Sequence, residues 1–346
     1  MVGALETTVG VVPKVSSSLT FADRLGTFKA RWGVGRMRYK IDPGLYALGE
    51  PDAESPVLVS ANYKMSFDRL REALRGRAAW ILVLDTDGIN VWCAAGKGTF
   101  GTDELVDRIM ASRLAELVSH RRLILPQLGA PGVAAHLVRK RSGFKVIYGP
   151  VRAKDLPAFL DGGMRATPAM RTKTFDIWER TVLVPVELVI ALKTVAIIAP
   201  ILFLISALMR PVAFWPSGVA HGLYSVLGFL MAVAAGTVFA PVLLPWLPGR
   251  AFSVKGLTLG LACAVIWAVL RWETGATWAG RVEMIAWFLM SPSVAAFLAM
   301  NFTGASTYTS LSGVKKEMRV ALPLQIGGCA VGLILWFTAL GMGMGG

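Results

Sequence analysis

The sequence predicts an α/β doubly wound domain, Rossmann- or flavodoxin-like, followed by an all-α transmembrane bundle of about five helices. Three observations carry this expectation. Residues 1–180 hold 27 of the 36 Lys and Arg and 18 of the 22 Asp and Glu, so the remainder is too poor in charge to clothe a water-soluble fold. Five apolar stretches fill that remainder, at about 182–208, 219–244, 256–271, 284–302 and 321–342. Most reach the ~20 residues a helix needs to cross hydrocarbon, the third being short. Before them, brief continuous apolar runs alternate with amphipathic stretches, the pattern of buried parallel strands covered by helices on both faces.

In chain order, residues 1–55 read as an irregular segment rich in Gly, Pro and Ser, with a short helix near Phe21–Ala30. The α/β alternation occupies 56–162. Its strands are Val57–Ala61, Ala79–Leu84, 122–126 and 144–148, and its helices Phe67–Leu74, 102–119, 132–141 and 153–161. Leu105, Val106, Ile109, Met110, Leu114, Leu117 and Val118 form one stripe of the long helix. Thr102 is its expected N-cap, with Asp103 and Glu104 in the first turn where the helix dipole favours acids. Residues 163–180 form a linker with a basic end, and 181–346 the transmembrane domain.

Trp178, Trp215, Trp246, Trp272 and Trp278 fall near span ends, as interfacial anchors do. The first 20 residues lack a basic stretch followed by an apolar run, so no secretory signal is expected. With the N-terminus inside, inner loops carry Arg250, Lys255, Lys315, Lys316 and Arg319 against Arg210, Arg271 and Arg281 outside. The expectation is a multi-pass protein of the cytoplasmic (inner) membrane, its N-terminal domain in the cytoplasm and its C-terminus outside. Glu187 and Lys193, early in the first span, can reach headgroup level by snorkelling. The net charge of +14 is scattered among acids without aromatic interleaving, which argues for lipid headgroups and no nucleic acid.

In a doubly wound sheet, ligands sit at the carboxyl ends of the strands. Here these are Asn62–Tyr63, Asp85–Gly98, Gln127–Gly132 and Gly149–Pro150. The connection after Ala79–Leu84 runs about seventeen residues, far beyond the usual two to six, and loops of that length are generally functional. It contains Cys93, the one cysteine outside the apolar spans; Cys263 and Cys329 read as packing residues. A phosphate-binding loop ending in Gly96-Lys97 fails, because Val91 and Gly98 stand where Gly and Ser or Thr are needed. A nucleophilic cysteine needs a histidine, and only His120, His136 and His221 exist. A third reading folds Asn90–Lys97 into a short helix that presents Cys93 to a soft metal, with Lys97 placed to favour the thiolate. A buried structural cysteine is the plain alternative.

The run Asn90, Val91, Trp92, Cys93, Ala94, Ala95, Gly96, Lys97 resembles, residue for residue, the cap-helix motif of the HgcA family. These are the membrane corrinoid proteins of the mercury-methylating HgcA/HgcB pair. Leu125-Pro-Gln-Leu-Gly-Ala-Pro-Gly132 and Tyr148-Gly-Pro150 are similar to segments of the corrinoid iron–sulfur protein of the acetyl-CoA pathway. The resemblance implies a corrinoid (cobalamin), base-off, whose cobalt takes Cys93 as its lower metal ligand. It also implies a corrinoid-dependent methyltransferase that moves methyl from methyl–Co(III) to Hg(II), giving methylmercury. The strand-end residues Asn62, Gln127, Gly129, Tyr148 and Gly149 complete the expected cofactor-binding set. The implied partners are a ferredoxin-like iron–sulfur protein, HgcB, and a folate-pathway methyl donor. The alternative is a membrane-anchored methyl carrier of an acetyl-CoA-type pathway. No Asp-x-His-x-x-Gly sequence occurs, which excludes a histidine-ligated cobalamin domain.

Overall fold

The structure, a computed structural model, describes residues 2–209, 214–302 and 311–342, and divides into two compact units, Met1–Thr174 and Phe175–Gly346. Arg210, counted above among the outer charges, lies outside the described residues.

The first unit is an α/β fold on one seven-stranded sheet. Its elements are β1 (Gly3–Thr7), β2 (Gly10–Val15), α1 (Phe21–Arg31), β3 (Gly44–Leu48), β4 (Val57–Ala61) and α2 (Lys64–Ala73). There follow β5 (Ala79–Leu84), α3 (Val91–Lys97), α4 (Thr102–Ala111), α5 (Leu114–Leu117), β6 (Arg122–Leu125), α6 (Ala135–Ser142), β7 (Lys145–Tyr148) and α7 (Leu156–Asp161). The strand order is β1-β2-β3-β5-β4-β6-β7. Strands β5, β4, β6 and β7 run parallel, and every residue of β4 and β5 is buried, as their unbroken apolar runs require.

Four expectations are corrected. Residues 1–55 are not irregular: they supply β1, β2 and β3. The hairpin β1–β2 turns at Gly10, whose φ of 112° only glycine holds without strain. Glycine and proline are tolerated there because β1 is the edge strand and β2 meets β3 only at Lys14 and Val15, leaving Pro13 outside that pairing. Second, the sheet is mixed, since β3 pairs antiparallel with β5. Third, the helix expected at 102–119 breaks at Arg113, which takes φ 49° between α4 and α5 while the apolar stripe continues across the break. Fourth, Gly101 rather than Thr102 caps α4. The Thr102 hydroxyl instead accepts from the backbone N–H of Ala134, 2.8 Å away.

The second unit is helical. Among the described residues, five helices are long and apolar enough to cross a membrane: Ile177–Leu208, Phe214–Val242, Phe252–Leu270, Trp278–Asn301 and Ser312–Met342. The third extends four residues before its expected start and so reaches spanning length. Gly256 and Gly260, one turn apart, let it press on the fourth: a Cβ at Gly260 would stand 2.4 Å from Pro292 Cα, and one at Gly256 2.6 Å from Ala296 Cα. The five tryptophans expected as anchors are all exposed. Two supposed loop charges are buried. Lys255 donates to the carbonyls of Leu244 (2.7 Å) and Leu247 (2.8 Å). Arg271 donates to the carbonyl of Ala220 (2.7 Å) and lies 3.3 Å from Glu283.

Candidate functional site

In the parallel part of the sheet, β4 connects toward β5 on one side and β6 toward β7 on the other. The crevice at the carboxyl ends of β4 and β6 is therefore the topological switch point, where ligands of such sheets sit. Helix α3 packs there, against β4 and against the 3₁₀ turn Gln127–Gly129 that follows β6.

Asn62, immediately after β4, builds the approach to α3. Its side chain is 1% exposed. Its Oδ1 accepts from the backbone N–H groups of Thr86 (3.1 Å) and Gly88 (2.9 Å) and lies 2.9 Å from the Thr86 hydroxyl, while its Nδ2 donates to Asp85 (2.9 Å). One amide thus folds the start of the long loop, which turns through positive φ at Asp87 and Gly88. Asn90 then caps α3, accepting from the Cys93 N–H at 3.0 Å, and Gly98 ends the helix at φ 87°.

The helix is two-sided. Ala94 and Ala95 are buried in the core beneath it. Trp92, Gly96 and Lys97 are exposed and Cys93 and Val91 partly so. The Cys93 thiol and the Lys97 ammonium have no partner within the described chain. Nothing lies within 4 Å of a Cβ built on Gly96, so the surface one turn beyond the thiol is bare. Beneath, Gly132 and Gly129 let the next loop close on the helix. A Cβ on Gly132 would lie 2.2 Å from Phe100 O, and one on Gly129 2.5 Å from the Phe100 ring.

The expected site residues therefore separate into two groups. Cys93, Val91, Trp92, Gly96, Lys97 and Gln127 are at least partly exposed at this edge. Asn62, Ala94, Ala95 and Gly129 are buried and shape the seat of the helix, whereas Gly149 is buried against Ile124 and Leu125. Tyr148 is half-buried, its hydroxyl donating to Val133 O at 2.9 Å, and burial raises its pKa. The Asp85-Thr86-Asn62 clamp is a set of roles that sequence reading missed; polar residues closing two adjacent strands were the available signal. His120 stands before β6, at the opposite edge, with Nε2 2.9 Å from Ser55 O. A cavity of ≈ 400 Å³ lined by His120, Arg77 and Asp161 also opens at that amino edge and has no part in the arrangement around Cys93.

A planar metal macrocycle fits these residues. Such a group would ask the protein for a soft donor, which Cys93 could supply as a thiolate. Gly96, one turn beyond Cys93, leaves open surface where such a group would be held. The Thr99 hydroxyl is buried just beyond Gly98, the residue that ends the helix, without a hydrogen-bond partner.

Residues 35–160 match the family model of the CO dehydrogenase/acetyl-CoA synthase delta subunit. Among curated proteins the chain is similar to acetyl-CoA decarbonylase/synthase complex subunit gamma of Archaeoglobus fulgidus, 28% identical over 128 residues, which is 36% of this chain and 27% of that protein. The subunit gamma of Methanopyrus kandleri is 31% identical over 35% of this chain and 26% of its own length. Subunit gamma 2 of Methanosarcina thermophila is 33% identical with the same two shares. The chain thus spans about a quarter of the length of these relatives, and the residues matching the family model lie within the first unit.

Proposed function

We propose that the first unit binds a corrinoid over α3, with the Cys93 thiolate as lower cobalt ligand, and that the chain is a membrane-anchored methyltransferase making methylmercury from Hg(II). The observation that carries this reading is a lone thiol, presented on a capped helix over the switch-point crevice, within an eight-residue run matching the HgcA motif. When bound, the corrinoid supplies a cobalt centre that holds a methyl group and yields it with its electron pair to an electrophile such as Hg(II). Cys93 would hold the cobalt as a soft, anionic thiolate, a stronger donor than a neutral imidazole. Asn90 holds the first turn of α3, and so fixes the sulfur's direction. Trp92 and Val91 border the macrocycle, and Gly96 leaves open surface for it.

Electrons to restore the cobalt must come from elsewhere. This chain's three cysteines cannot furnish the four thiolates of an iron–sulfur cluster, so a ferredoxin-like partner of the HgcB kind is proposed, with a folate-linked methyl donor. The domain faces the cytoplasm in this reading. A second reading, a methyl carrier of an acetyl-CoA-type pathway, is favoured by the names of the relatives. The five membrane-length helices outside the matched region favour the first.

The test is to purify the full chain from corrinoid-supplied cells, measure cobalt per protein, load it with methyl groups and add Hg(II). The proposal expects about one cobalt per chain and methylmercury as product. A cobalt-free protein would overturn both readings; a cobalt protein that passes methyl only to other acceptors would leave the carrier reading.

A further inference from the structure

Helix α1 carries an apolar stripe that nothing in the first unit covers. Phe21, Leu25, Phe28 and Trp32, the last being the residue that ends the helix, are all exposed, Phe21 by 80% and Phe28 by 58%. At 100° per residue these four fall within an arc of about 60°. Arg24 flanks the stripe on one side and Lys29 on the other, both exposed. The opposite face is the one that packs. Ala30 is fully buried, and a Cβ on Gly26 would meet the Tyr39 ring at 2.6 Å. Asp23 pairs with Lys64 (2.5 Å) and Arg71 (2.8 Å) of α2. The stripe is therefore held outward by a rigid attachment. Val34 and Met37, just beyond, extend the apolar surface.

We infer that α1 lies in the headgroup layer of an anionic lipid bilayer, its stripe entering the acyl boundary. A narrow aromatic and leucine stripe between basic residues is the anatomy of an interfacial helix. Charge selects the lipid. From Phe21 to Lys40 the chain has six Lys and Arg against the single Asp23, whose charge is consumed by Lys64 and Arg71. What remains is basic, and basic residues are drawn to the negative surface potential of an anionic leaflet. The same chain carries five membrane-length helices, so a bilayer is always at hand and even weak attachment is effectively concentrated.

The full chain in nanodiscs, with p-benzoylphenylalanine in place of Phe28, tests this. Irradiation is expected to give adducts to lipid acyl chains, with a yield several-fold higher in discs containing phosphatidylglycerol than in phosphatidylcholine alone. The double variant Arg24→Glu, Lys29→Glu should lower that yield several-fold. The same probe in place of Val11, equally exposed on β2, should give little lipid adduct. Adducts to a second copy or to a companion protein, or no adduct above the Val11 control, would overturn the inference. Both probe positions are exposed, so the fold survives substitution, and retained helical circular dichroism confirms it.

Discussion

Gly96 stands one helical turn beyond Cys93, and nothing within 4 Å opposes a side chain there. Gly96→Leu should therefore leave the melting temperature unchanged or slightly raised, since glycine costs a helix about 0.5–1 kcal/mol. It should nevertheless strip the protein of cobalt, because the branched side chain occupies the bare surface beside the thiol. Metal analysis on a variant of unchanged melting temperature separates these effects; full cobalt in Gly96→Leu would move the cofactor away from α3. Cys93→Ala, at a partly exposed position, is expected to keep the fold, change the cobalt absorption spectrum and abolish methylation. Full activity in that variant would remove the thiol from the mechanism. Asn62 is the opposite kind of residue. Asn62→Ala strands the N–H groups of Thr86 and Gly88, each such orphan costing about 1–3 kcal/mol. Loss of stability should there accompany loss of cobalt.

At the scale of elements, α3 is seated by backbone contact. Gly132→Ala drives a methyl to within 2.2 Å of Phe100 O, a backbone atom that cannot swing aside. Overpacking of this kind costs about 1–3 kcal/mol or more, so lowered thermal stability and a displaced helix are expected, read by denaturation and by cobalt content together. Helix α1 is joined to α2 by charge. Burial pushes the Asp23 carboxyl up, but hydrogen bonds from Lys64, the Thr20 N–H and Arg71 outweigh it and hold the pKa well below its ordinary 3.8. A depressed carboxylate stabilises the fold above its unfolded pKa and loses that contribution as pH falls through the folded one. The stability gap between the protein and Asp23→Asn should therefore be constant above about pH 5 and shrink below pH 4. A gap that does not change with pH down to 3 would contradict this pairing.

For the whole molecule, the division of labour is chemical. On the proposed reading, a chain with three cysteines, too few for a cluster, draws its electrons from another protein. Methyl-loaded protein given Hg(II) alone should yield at most one methylmercury per cobalt, with continued turnover only when a low-potential ferredoxin and a methyl donor are added. Sustained turnover without a reductant would defeat that expectation. Protease added to intact spheroplasts should spare residues 1–180 if the first unit faces the cytoplasm, and cleavage there without lysis would reverse the topology. Burial of Lys255 and Arg271 removes one basic residue from each side of the charge count, so the inward bias rests on Arg250, Lys315, Lys316 and Arg319.

What the sequence by itself determined was whatever depends on local period and composition. Strands Val57–Ala61 and Ala79–Leu84 were legible because burial on both faces demands unbroken apolar runs. The five spans were legible because hydrocarbon demands length and excludes charge. Helix α3 was legible from its Asn90 cap and the motif it begins. Tertiary structure decided what depends on residues far apart. Strands β1 and β2 form the margin of the sheet, where glycine and proline are tolerated, and β3 is placed only by its pairing with β2 and β5, so composition concealed all three. Arg113 breaks a helix whose apolar stripe continues past it. Asn62, Gly129 and Gly132 are revealed as the seat of the thiol helix only by neighbours on other strands and loops. An amide's donors and acceptors, or a glycine's missing Cβ, acquire meaning only from what the fold brings within 3 Å of them.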